Sequence, residues 1–235
     1  MRPILFQLKN GKRVAALALL ELLVVVGLLC LLVAMALPVL RGSGERANAV
    51  RCMGNLRQIG IAMAGYCSDH ANYLPGPLLP SQGPRYNTVN GAYTSYLPNF
   101  LYPYLAIPEP PRGPLPTLEE ARQKAPIFYC PSFAGAAKDH FPNSYFMRWK
   151  VDGMGGMPPW GSADAVQIPQ TPKSLLAVPD RARNWAMCDI DQQCPDLPVT
   201  SWYSSLPSRP IHQGARNALF FDWHVGRIDK DGKAL

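Results

Sequence analysis

Charge is scarce in this chain: Asp, Glu, Lys and Arg make up 17% of its 235 residues, against about a quarter in ordinary soluble domains. No acid precedes Glu21, and the four histidines all fall within the last 166 residues (235 − 70 + 1). There is no Gly-x-Ser-x-Gly, no phosphate loop and no paired-glycine nucleotide motif. The acyl-transfer and phosphate chemistries that those motifs serve therefore have no candidate residues. Beyond the N-terminal helix no Lys/Arg cluster interleaves with aromatic residues, so the electrostatic footprint of a nucleic-acid binder is missing. Neither an enzymatic activity nor a nucleic-acid partner is expected.

What the chain does have is an apolar run over residues 14–40, 27 residues (40 − 14 + 1) interrupted by one charge, Glu21. Spanning a bilayer takes roughly 20 apolar residues, and an ordinary secretory signal has only about 7–15. The run is read as a membrane anchor. Arg2, Lys9, Lys12 and Arg13 precede it without an acid, which by the positive-inside rule keeps the N-terminus cytoplasmic and sends Arg41 onward across the bilayer. A carboxylate at the centre of such a helix costs about 2.5–3.5 kcal/mol, and less near an end. Glu21 thus calls for a partner or a purpose.

Lys12-Arg13-Val14-Ala15-Ala16-Leu17-Ala18-Leu19-Leu20-Glu21-Leu22-Leu23 resembles the cleavage and methylation segment of the type IV pilin-like proteins of bacteria, which include the pseudopilins of type II secretion. In that family a basic leader precedes Gly-Phe-Thr-Leu-Ile-Glu and an apolar helix. Alignment on Glu21 places cleavage between Ala16 and Leu17. Pro38 then falls 17 residues after the glutamate, the family's spacing to its helix proline. Ala16, Leu17 and Ala18 stand where glycine, phenylalanine and threonine are usual.

A second segment, residues 211–225, runs from Ile211-His212-Gln213-Gly214 to Phe221-Asp222-Trp223-His224-Val225 and resembles the H-x9-D-G motif of the processing-associated pilin-like group. His212 and Asp222 bracket nine residues, and Trp223 replaces the glycine. A turn with φ > 0 is expected there, and a bulky side chain meets it at a steric cost. Tyr73-Leu74-Pro75 and Tyr129-Cys130-Pro131-Ser132 belong to the same likeness. It implies a single-pass subunit of the bacterial inner membrane, with its C-terminal domain periplasmic or in an extracytoplasmic filament. The partners implied are a prepilin peptidase, other pilin-like subunits, a secretion or pilus assembly platform and the lipid bilayer.

The fold class expected is α+β and pilin-like: a long N-terminal helix, transmembrane then amphipathic, packed on a small, mostly antiparallel sheet. Residues 1–16 form the leader, 17–40 the transmembrane part, 41–72 the amphipathic continuation and 73–235 the exported domain. Val50, Met53, Leu56, Ile59, Met63 and Tyr66 recur every three or four residues and form one apolar stripe. Arg46, Arg51 and Arg57 fall off it, and Pro38 with Gly42-Ser43-Gly44 permits a bend. Residues 72–116, rich in Pro, Gly and Tyr, read as a loop with one short helix near 93–105. Thr117 followed three residues later by Glu120 predicts a capping box. Strands are expected at 127–130, 144–149, 175–178, 186–189 and 217–225.

The six cysteines are Cys30, Cys52, Cys67, Cys130, Cys188 and Cys194. Cys52 and Cys67 lie roughly 22 Å apart on one helix, beyond disulfide reach. Cys188 with Cys194 is the expected pair, Cys130 with either is the alternative, and free buried thiols the third possibility. For a metal, Asp222 and His224 share one face of a strand and His212 approaches across a hairpin; Asp189 and Asp191 offer a weak calcium site. No other cofactor is expected. The net charge of +7 falls to +3 (7 − 4) once the leader is removed. Two functions follow. One is a cleaved subunit polymerised through its helix into a type II secretion pseudopilus or type IV pilus-like filament. The alternative is an unprocessed, membrane-anchored ligand- or metal-binding module.

Overall fold

The computed structural model describes residues 7–85, 94–111, 116–138, 141–163, 171–197 and 201–235, with side chains described outside 7–20 and 36–43. It is α+β, with one antiparallel five-stranded sheet. The chain divides into two compact units, Met1–Arg46 and Ala47–Leu235.

Helix α1 runs Gln7–Asp69 and continues as helix through Pro38 and Gly42-Ser43-Gly44. Ala16, Leu17 and Pro38 are described as helical backbone only. In the first unit the described side chains of the apolar run are residues 21–35, and the large hydrophobic ones are exposed, from Val24 at 49% to Leu23 at 73%. Among the described residues no helix is long and apolar enough to cross a membrane.

In the second unit α1 buries Cys52, Leu56, Ile59, Met63 and Cys67 completely. These positions repeat at four, three, four and four residues, as one face of a 3.6-residue helix demands. The expected stripe began two residues too early: Val50 is exposed, and the buried face starts at Cys52. Arg46, Arg51 and Arg57 are exposed, as their positions off the stripe required. Close approach of helix and sheet rests on Gly60. A Cβ there would lie 2.7 Å from Leu219 Cδ1 and 3.2 Å from the Trp223 carbonyl oxygen.

The sheet is a meander in chain order, all pairs antiparallel: β1 Ser81–Gln82, β2 Tyr145–Met147, β3 Trp185–Asp189, β4 Arg216–Phe220 and β5 Val225–Ile228. Strands β2, β3 and β4 are buried throughout, the mark of strands covered on both faces. The short helix α2 spans Pro98–Leu101, inside the expected segment. Helix α3 spans Leu118–Lys124, and both capping-box bonds are made: the Glu120 amide donates to Thr117 Oγ1 at 3.3 Å, and the Thr117 amide donates to Glu120 Oε2 at 2.8 Å.

Three expected strands are corrected. Residues 127–130 form no strand: 127 and 128 lie in a 3₁₀ turn, Pro126–Phe128, and 129–130 are irregular, because the fixed φ of Pro126 starts a turn. The run at 175–178 is also 3₁₀, Leu175–Ala177, with the Ser174 hydroxyl accepting from the Leu176 amide at 3.2 Å. Here a side chain offers the backbone an alternative to the ladder. Residues 217–225 are not one strand but the β4–β5 hairpin, turning at 221–224. Trp223 adopts φ +71° in it, the left-handed conformation expected at this position.

Candidate functional site

The candidate site is a buried polar centre where α1, the segment after the Pro126 turn, β3 and the loop leading into β4 meet. Cys52, on α1, is disulfide-bonded to Cys130, with Cα atoms 5.1 Å apart and a sequence separation of 78. The expected Cys188–Cys194 bond is therefore corrected. Their sulfurs touch at 3.5 Å and remain thiols, and burial pushes the Cys188 thiol well up. The alternative pairing of Cys130 with either is ruled out, since Cys52 already holds Cys130.

His212 is placed by a tight turn. Gln213 and Gly214 both have φ > 0, at +55° and +79°, and the Ala215 amide donates back to the His212 carbonyl at 3.2 Å. Two successive positive φ angles match the twist of a two-residue hairpin turn, and Gly214 supplies one of them without a Cβ penalty. The imidazole is 4% exposed. Its Nε2 lies 3.4 Å from Cys130 Sγ and 3.3 Å from Asp189 Oδ2, and Arg227 Nη2 donates to its carbonyl at 2.7 Å.

Asp189 ends β3 and is 1% exposed. Its Oδ2 also accepts from the Asn217 amide at 2.9 Å, while Oδ1 and the Asn217 side-chain nitrogen have no hydrogen-bond partner among the described residues. Tyr145 faces Asp189 across the β2–β3 register. Burial first, and then the Asp189 charge, push its phenol far above the usual range. Cys130 is held from the other side, its amide donating to Ser144 Oγ at 2.9 Å. A buried centre of this kind keeps its polar atoms only when they are paired. Two here are not.

The His212, Asp222 and His224 grouping is not formed. Asp222 and His224 sit in the β4–β5 turn, exposed, with Asp222 Oδ1 accepting from the His224 amide at 3.2 Å and touching its ring Nδ1 at 2.5 Å. His224 also stacks on Phe220 at 4.2 Å. This local turn bonding replaces the strand geometry on which the grouping depended. Among the described residues, the cluster with metal-ligand character is Cys52, Cys130 and His212, all buried, with ligand atoms within 4.8 Å of one another. Spacing gave no sign of it, because Cys52 and Cys130 are joined by tertiary packing alone.

Asp189 and Asp191 do not form a calcium loop either. Asp191, 1% exposed, is gripped by Arg216, whose Nε donates at 2.6 Å and Nη2 at 2.9 Å. The guanidinium supplies the positive charge that a cation would bring, in the bidentate geometry that suits a buried carboxylate. Arg216 also donates to the carbonyls of Asp229 and Lys230 at 2.8 and 3.2 Å, which pins the C-terminal turn to β4.

No protein-family model, curated protein or solved structure matches this chain.

Proposed function

We propose that the chain is a membrane-anchored pilin-like subunit, of the pseudopilin kind, cleaved between Ala16 and Leu17 and assembled through its N-terminal helix into a type II secretion pseudopilus or a type IV pilus-like filament. The observation that carries this reading is the all-round exposure of Leu22, Leu23, Val24, Val25, Val26, Leu28, Leu29, Leu31, Leu32, Val33 and Met35 on one helix that continues into the folded domain. A helix apolar on every side belongs in lipid or among other helices. Burying such a side chain fully gains about 1.5–3 kcal/mol, so these half-exposed residues together gain on the order of 10 kcal/mol by leaving water. Glu21, at about 3 kcal/mol, is outweighed severalfold.

Glu21 then acquires a purpose. Cleavage would give Leu17 a free α-amino group, and a glutamate four residues later on a neighbouring subunit would neutralise it in an apolar filament core, where charges persist only when paired. The subunit performs no chemistry of its own. Mass spectrometry of the N-terminal peptide, from protein isolated from its native membrane, tests the reading: a start at Leu17, with or without an added methyl group, is expected. An intact leader would instead make the chain a permanently anchored module. Glu21→Ala should still insert but fail to enter filaments; normal incorporation would remove the proposed role of the carboxylate.

A further inference from the structure

We propose that the thiols of Cys194 and Cys188 are a modification site for a disulfide-bearing partner, which oxidises them in a fixed order: Cys194 exchanges first, and Cys188 then resolves the mixed disulfide. Their sulfurs touch at 3.5 Å across a sequence separation of 6. Reacting atoms stand about 3–3.5 Å apart before they bond. Cys188 lies in the middle strand of the sheet, opposite Phe146 of β2 on one side and Ala218 of β4 on the other. It is wholly buried there. Cys194 stands on the turn after β3, its amide donating to the Asp191 carbonyl at 3.1 Å. It is 6% exposed, and Gln193 and Asp196 on either side of it are exposed. The pair thus has an outer and an inner sulfur.

A second observation is independent of that contact: the turn is fixed by bonds that do not involve either sulfur. Asp191 is gripped by Arg216 and accepts from the Gln193 amide at 2.7 Å. The Gln192 amide donates to the Pro207 carbonyl at 2.9 Å, its side-chain nitrogen to the Leu206 carbonyl at 3.1 Å, and its carbonyl accepts from the Tyr203 hydroxyl at 2.7 Å. The outer sulfur is therefore held against the inner one. Burial first, and then the Cys194 sulfur, push the Cys188 thiol up, while the charge of buried Arg216 pulls it down. Cys188 keeps its proton until a target sulfur is beside it.

Two exchanges balance the atoms. Cys194 Sγ attacks a disulfide R–S–S–R, its S–H proton leaving with the displaced sulfur as RSH, and Cys194–S–S–R forms. Cys188 Sγ then attacks Cys194 Sγ, and the second RSH departs with the proton of Cys188. Two cysteine thiols are oxidised and one external disulfide is reduced to two thiols. The chain is the substrate of this exchange. Its product ties the middle strand of the sheet to the turn that carries Asp191.

The test uses the full chain in detergent, with bis(2-hydroxyethyl) disulfide, small and uncharged, added to the folded protein. Samples are quenched in acid, unfolded, alkylated with a maleimide and digested. Trypsin leaves both cysteines on the peptide that begins at Asn184, and cleavage before Asp189 and Asp191 separates them. The hydroxyethyl adduct is expected first on Cys194, then a peptide that has lost two hydrogens and takes no maleimide. With Cys188→Ser the adduct on Cys194 should persist; with Cys194→Ser, Cys188 should react roughly tenfold more slowly than that, as access dictates. If either variant fails to fold, the wild-type time course decides alone, by where the transient adduct sits. The proposal is overturned by a folded wild type that keeps both thiols, by an adduct that is never resolved, or by one that appears first on Cys188.

Discussion

Replacing both Cys52 and Cys130 by alanine removes the covalent tie between α1 and the segment that precedes β2. In the chain-entropy treatment a cross-link lowers denatured-state entropy by about 2.1 + 1.5R ln n cal/mol/K; for the 78-residue separation this amounts to roughly 4.5 kcal/mol at 25 °C. Both sulfurs are fully buried, so truncation adds a packing loss in the same direction. Domains of this size hold about 5–15 kcal/mol of stability, and 1 kcal/mol moves the melting temperature about 2–4 °C. The double variant should therefore melt about 9–18 °C below wild type. Near-ultraviolet circular dichroism is the suitable probe, because Trp160 and Trp185 are buried in the core and the far-ultraviolet signal would be dominated by α1. Both proteins are melted in one detergent without added metal. A melting temperature within about 2 °C of wild type would mean that the denatured chain already keeps Cys52 near Cys130, and would refute the constraint argument.

Asp191→Asn leaves the Arg216 guanidinium, itself fully buried, without its charge partner; the loss should be about 3–5 kcal/mol in denaturant unfolding, and Asp191→Leu with Arg216→Met should recover much of it. Burial pushes the Cys67 thiol up from 9.0 to about 11, so the protonated form is the one the fold favours: its contribution is whole below pH 9 and is lost as pH rises through about 11. At pH 8, iodoacetamide should therefore modify Cys67 roughly 100-fold more slowly in the native chain than in urea, as the thiolate fraction dictates.

Legibility followed the range of the interaction. The capping box of α3 lies within four residues, and its two bonds appear as expected. The strand through Ala186-Met187-Cys188-Asp189 is an apolar β-type run, and it forms. Pro126 and Ser174, by contrast, turned two similar runs into 3₁₀ segments through a fixed φ and a side-chain cap; both signals stand in the sequence next to the runs they override. The β4–β5 turn was hidden by alternation that reads through it, although the H-x9-D-G likeness marks position 223 as one with φ > 0. The disulfide was not legible at all. Cys52 and Cys130 are brought together by packing α1 on the sheet, and no spacing rule reaches across that separation. His212 and Asp189 were each singled out, but with the wrong partners, because a histidine's neighbours depend on which way its turn folds.

The position of the staple matters for how α1 is held on its domain. Cys52 is the first buried residue of α1 among those described; residues 44–51 before it are exposed or half-buried. Any pull along the helix from its apolar part therefore reaches the folded domain first at Cys52. Held by side-chain packing alone, α1 would peel from that end a turn at a time, each step releasing one residue of the Leu56, Ile59, Met63 series at about 1.5–3 kcal/mol. Such a zipper fails at small cost per step even when its total is large, because only the leading contact bears the load. A covalent bond at the leading contact changes this: the helix cannot start to peel until the bond is cut, and the full stripe then resists as one unit. Placed near the C-terminal end of α1, beside Cys67, the same bond would leave the leading edge open. At Cys52 the bond instead closes that edge, so the packed face of α1 is guarded where it begins.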